Sequence, residues 1–138
     1  MIKTDDALLL ASLKEHEGWR DRMYKCSAGK WTIGYGHNLE DKPISMAVGA
    51  MMLMEDVAES VAEAYQYNWL FDSPKEVQRV VIEMIYQLGA AGFFKFIKTR
   101  AALARRDYQG AAGEMLDSAW AKQTPARAHE LAAIVRRQ

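Results

Sequence analysis

Met23-Tyr24-Lys25-Cys26-Ser27-Ala28-Gly29-Lys30-Trp31-Thr32-Ile33-Gly34-Tyr35-Gly36-His37 interrupts a sequence that is otherwise written in helical periods. Its aromatic and β-branched residues on either side of Ser27-Ala28-Gly29-Lys30 read as strand, turn, strand. Alternation along the second strand puts Trp31, Ile33, Tyr35 and His37 on one face and Thr32, Gly34 and Gly36 on the other. A face made of one threonine and two glycines is open to a ligand or to another stretch of backbone.

Helices are expected on both sides of this hairpin. Upstream, Thr4–Glu17 carries an apolar stripe of Leu9, Leu10 and Leu13, with Thr4 as its cap, Asp5 and Asp6 in the first turn and Gly18 as its stop. Downstream, Pro43 closes the small lobe and a long helix runs from Ile44-Ser45 to about Tyr67. Its apolar residues, Met51, Met52 and Met54 among them, recur at helical spacing and read as adaptable core filler. Ser73-Pro74-Lys75-Glu76 combines a serine cap, a proline at the first helical position and a glutamate three residues after the cap. The helix it opens, with Val77, Val80, Val81, Met84, Ile85 and Leu88, should be central and buried, ending at Gly89. Shorter helices follow at about 93–105, 108–117 and 125–136, with Asp107 and Thr124-Pro125 as start signals.

The 138 residues suit one domain. Eighteen basic residues against eighteen acidic ones argue against a dedicated nucleic-acid binder. The balance is uneven along the chain: residues 1–92 hold 9 basic and 14 acidic residues, residues 93–138 hold 9 and 4. Such halves are suited to attract each other across a cleft, or the basic end to face an anionic polymer. One cysteine excludes an intramolecular disulfide framework and a cysteine-rich zinc site, and no metal or organic cofactor is expected. No apolar run approaches a membrane span, and no secretory signal is read at the N-terminus.

Three polar residues stand around the hairpin. Glu17 ends the first helix, where the negative end of the macrodipole should raise its pKa towards that of a general acid. Cys26 precedes the turn and Thr32 opens the return strand. A neutral thiol is a poor base, so Cys26 needs help, and Lys25 and Lys30 are close enough in sequence to favour a thiolate.

The string His16-Glu17-Gly18-Trp19, Tyr24-Lys25-Cys26 and Trp31-Thr32-Ile33-Gly34-Tyr35-Gly36-His37 resembles the phage-type lysozymes (endolysins, glycoside hydrolase family 24). That family has a Glu, eight residues, Asp or Cys, five residues, then Thr. Met84-Ile85-Tyr86-Gln87-Leu88-Gly89 and Ser118-Ala119-Trp120-Ala121-Lys122-Gln123-Thr124-Pro125-Ala126-Arg127-Ala128 are similar to two further family segments. The resemblance implies an α+β, mostly helical, lysozyme-like domain over 1–138. Its parts would be a β lobe at 18–43, a helical lobe from 1–17 and 68–138, and a connecting helix at 44–67. The stretch before the long helix is short, so a hairpin with at most one short extra strand is expected.

The resemblance further implies hydrolysis of the β-1,4 bond between N-acetylmuramic acid and N-acetylglucosamine. Glu17 would be the general acid, with Cys26 and Thr32 assisting water. Arg127, which matches an arginine that pairs with the catalytic glutamate, joins Gln87, Gln123 and Tyr86 as substrate-binding or supporting residues. His37 matches a structural histidine. Cys26 as base, with inversion, or as nucleophile, with retention, both remain open. A lytic transglycosylase, a non-catalytic wall-binding domain and a helical DNA-binding module are the competing readings. The lysozyme reading implies a monomer acting on peptidoglycan, without nucleic acid or stable membrane insertion. It would accumulate in the host cytoplasm and be released through a separate membrane-lesion protein.

Overall fold

The computed structural model describes residues 1–138. The elements are α1 (Ala7–Glu17), β1 (Arg20–Lys25), β2 (Trp31–Gly34), β3 (His37–Asn38), α2 (Met46–Ala64), a 3-10 turn (Asn68–Leu70), α3 (Lys75–Phe94), α4 (Ile97–Ala104), α5 (Tyr108–Leu116), α6 (Ala119–Gln123) and α7 (Pro125–Arg136). This is the expected α+β, mostly helical class. No single helix is long and apolar enough to cross a membrane. Two compact units divide the chain, Met1–Ala50 and Met51–Gln138.

In the first unit the sheet is antiparallel in the order β1-β2-β3. Tyr24 pairs with Thr32, Lys25 with Trp31, and Arg20 with Gly34 across an irregularity. The two-residue β3 answers Ile33 with His37 and Thr32 with Asn38, the single short extra strand that was expected. The long second strand was not borne out. It stops at Gly34, because Gly34 and Gly36 both take positive φ (68° and 69°) and turn the chain back. Strict alternation therefore fails beyond Gly34, and Tyr35 and His37 do not continue one strand face.

Thr32 is the only buried residue of this unit, so it has no apolar core of its own. Hydrogen bonds hold it instead. Asn38 Oδ1 accepts from the N–H groups of Glu40 (3.0 Å) and Asp41 (3.1 Å), and its Nδ2 donates to Asp41. Glu40 in turn accepts from the Trp31 N–H at 3.1 Å, and His37 Nε2 meets the Lys42 carbonyl at 2.9 Å. The first helix begins later than expected. Asp6, not Thr4, is its cap, accepting from the Leu9 N–H at 2.9 Å.

The second unit carries the core. Val77, Val80, Val81, Met84 and Ile85 of α3 are buried, with Leu70, Phe93, Leu103, Met115, Leu131 and Val135 around them. Gly89 breaks α3 with φ 75° and ψ 164°, after which helix resumes to Phe94, so α4 begins only at Ile97. Ser73 does not cap α3. Its hydroxyl donates to the Trp69 carbonyl at 2.9 Å, leaving Pro74 at the cap position. Asp107 caps α5 through the Gly110 N–H, and Pro125 opens α7 as expected. The five-residue α6, capped by Ser118, was missed because it is too short to show a period.

The methionines of α2 are a correction. Met51, Met52 and Met54 are exposed, and only Ser60 and Ala64 of that helix are buried. Helical spacing shows that apolar residues share a stripe; it does not show what covers the stripe. Met84→Ala (0% exposed) should cost about 2–5 kcal/mol, whereas Met54→Ala (72% exposed) should stay within about 0.5 kcal/mol by chemical denaturation.

Candidate active site

Glu17 is the last residue of α1. Gly18 follows with φ 71°, and its N–H donates to the Lys14 carbonyl at 3.0 Å, which ends the helix. Pairing of Arg20 with Gly34 then lays residues 17–19 beside 34–36. A Cβ on Gly36 would collide with the Glu17 carboxylate, lying 2.9 Å from its Cδ. A Cβ on Gly34 would lie 3.6 Å from the Trp19 ring. The two glycines thus receive two side chains of the same unit, where the sequence suggested an opening for a ligand or for backbone.

Cys26 follows β1 at the mouth of the turn. Its N–H donates to the Lys30 carbonyl at 2.9 Å, and its carbonyl accepts from the Gly29 N–H at 2.8 Å. Folding the turn this way aims amide N–H groups at the sulfur. The Lys30 amide first, then the Ala28 amide, then the Thr32 hydroxyl lower the thiol pKa below its ordinary value, and slight burial opposes them. Each donor stabilises the thiolate more than the thiol.

The lysine side chains do not supply this help. Lys30 pairs with Asp41 at 3.4 Å and Glu40 at 3.7 Å, and the Lys25 ammonium lies 5.1 Å from the centroid of the Trp31 ring. Charge can be counted in a sequence, but amide direction cannot. The Ala28-Gly29 turn, with Gly29 at φ 75°, was the available signal. Thr32 Oγ1 donates to the Lys30 carbonyl at 2.9 Å. Its one proton serves either that carbonyl or the sulfur, while its lone pairs remain free to accept.

The other sequence-derived candidates lie in the second unit. Arg127 forms an ion pair with Glu83 at 3.1 Å. Gln87 Oε1 accepts from Trp120 Nε1 at 2.9 Å. Gln123 lines a hollow of about 740 Å³ with Trp120, Thr99 and Lys95. Tyr86 lines one of about 370 Å³ with Asp56, Glu59 and Glu63.

A carboxyl group at a helix end, laid on a glycine turn in the same small unit as an ionisable sulfur and a buried hydroxyl, is equipment for acid–base hydrolysis. The sequence model of the family described as phage lysozyme matches residues 14–138. An endolysin of Acyrthosiphon pisum secondary endosymbiont phage 1 is 30% identical over 139 residues, covering 94% of this chain and 89% of that protein. "Probable T4-type lysozyme 2" of Dictyostelium discoideum is 26% identical over 152 residues, covering 88% and 89%. The chain belongs to the phage lysozyme family. It is a lysozyme-type hydrolase with the lysozyme-like fold.

Two expectations follow. Gly36→Ala should displace Glu17 and lower wall lysis by about 10²-fold. Gly29→Ala carries a similar backbone strain but meets nothing within 4 Å, so it should lose far less activity at equal folded fraction. Alkylation of the single cysteine by iodoacetamide should reach half its maximal rate below the value of about 8.5 for a free thiol. Thr32→Val should move that midpoint upwards without restoring the free-thiol value, because the Lys30 and Ala28 amides remain.

Proposed function

We propose that this lysozyme cleaves the β-1,4 bond between N-acetylmuramic acid and N-acetylglucosamine in bacterial peptidoglycan. Glu17 donates its proton to the glycosidic oxygen as that bond breaks. Positive charge builds at the anomeric carbon, and the Cys26 thiolate on the opposite side of the sugar stabilises it. Water attacks, its proton passes to the sulfur, and the Thr32 hydroxyl orients it. Glu17 loses one proton and Cys26 gains one, and exchange with solvent restores both. Tyr86, Gln87, Gln123 and Arg127 are assigned to substrate binding or support by family resemblance.

The observation that carries this reading is the Glu17 carboxylate seated on the Gly36 turn in the same small unit as Cys26 and Thr32, with turn amides that lower the thiol pKa. A thiolate also has the nucleophilicity to attack the sugar directly. Water assistance needs only the base function that the aspartate members share, and it is the reading adopted. In the setting of phage lysis the enzyme would collect in the host cytoplasm and reach the wall after a separate membrane-lesion protein acts.

Glu17→Gln should lower lysis by about 10²–10⁴-fold. Cys26→Ser should be similarly impaired and Cys26→Asp should recover most activity; full activity of Glu17→Gln would sink the assignment. Mass spectrometry of the released muropeptides should find reducing ends, whereas 1,6-anhydro ends would mean a transglycosylase. NMR of fresh product should show the inverted anomer. The retained anomer, with a trapped adduct on Cys26, would make the sulfur a nucleophile.

A further inference from the structure

Trp19 is not used by the chemistry above, yet it is 64% exposed, and its neighbour Tyr35 is 46% exposed. Their ring centroids are 5.1 Å apart with planes inclined at 51°. A Cβ built on Gly34 would lie 3.6 Å from the Trp19 ring, and the Lys14 ammonium lies 5.7 Å from the centre of the Tyr35 ring. A large apolar ring is therefore held in place while much of it faces solvent. Burying it in a complex costs little rotamer freedom, which favours its use as a binding anchor.

Position relates this ring to the chemistry. Glu17 lies over Gly36 and Trp19 over Gly34. Glycines two positions apart are separated by at most about 7 Å, within the length of one or two sugar residues. We infer that Trp19, braced by Tyr35, is a stacking subsite for an N-acetylhexosamine ring beside the bond that Glu17 protonates. This rests on the reading of Glu17 as the acid. The ligand chemistry fits: a β-linked hexosamine carries its polar groups around the rim, so its faces present C–H bonds. Those faces complement the electron-rich face of an indole. Tyr35 contacts the indole in a tilted pair, and most of the Trp19 surface stays exposed.

The test is steady-state kinetics on soluble, uncross-linked glycan strands with Trp19→Phe, Trp19→Leu and Tyr35→Ala, each checked by thermal melting. Trp19→Leu should raise KM about tenfold with kcat within twofold, and Trp19→Phe should restore most of the affinity. Tyr35→Ala should raise KM less. Binding of N-acetylglucosamine oligomers to Glu17→Gln, free of turnover, should weaken by the same factor when Trp19→Leu is added. An unchanged KM in Trp19→Leu, or equal behaviour of Leu and Phe, overturns the subsite. So does a fall in melting temperature with no change in oligomer binding. Failure of the wild type to release reducing ends would instead overturn the assignment of Glu17.

Discussion

A hydrogen atom stands at position 36 where every other residue type has a carbon, and the site depends on that vacancy. The Glu17 carboxylate occupies the space. Gly36 also supplies the positive φ by which the chain leaves β2 and returns as β3. One residue thus meets two demands, a backbone conformation that L side chains rarely adopt and a contact that no Cβ permits. Gly34, two residues earlier, shares the positive φ but not the steric demand, since a Cβ there would meet Trp19 only in ordinary contact at 3.6 Å. The hairpin turn thus depends on the positive φ of both glycines, and the placement of the candidate acid on the missing Cβ of Gly36.

The two units are stabilised by different physics. Residues 51–138 surround α3 with a continuous apolar cluster, joined by aromatic contacts from Tyr67 through Phe93 and Phe96 to Trp120. Residues 1–50 bury Thr32 alone and rely on directional bonds: the Asn38 hub, the closed Cys26–Lys30 turn and the acidic partners of Lys30. Directional bonds place groups closely but contribute only about 1 kcal/mol each to stability. That division suits a hydrolase. The candidate acid, sulfur and hydroxyl stand on a hydrogen-bonded scaffold, and the buried apolar cluster lies in the helical unit.

Much of the helical unit was legible in the sequence, because its signals are local. Asp107, Pro125 and Gly89 act on their own turn of backbone, and each did what its chemistry predicts. The errors have physical causes too. Thr4 and Asp6 are both competent caps, and only the fold shows which one reaches an N–H group. The α2 methionines follow a helical period whether or not anything covers them. Glu17, Cys26 and Thr32 were picked out by resemblance to the family's pattern, since spacing alone does not separate them from ordinary surface residues. The source of help for Cys26 was not legible, since the sequence displays the lysine charges and hides the amides of the turn.

The missing core of the first unit also bears on how the protein meets heat. The heat-capacity change of unfolding tracks the apolar surface that becomes wet. Here the buried apolar residues all belong to residues 51–138, so the heat-capacity step reports chiefly on the helical cluster and little on the hairpin. The sheet can lose its hydrogen bonds with little change in heat capacity of its own. Opening of the hairpin is therefore a different measurement from the heat-capacity step of the helical core.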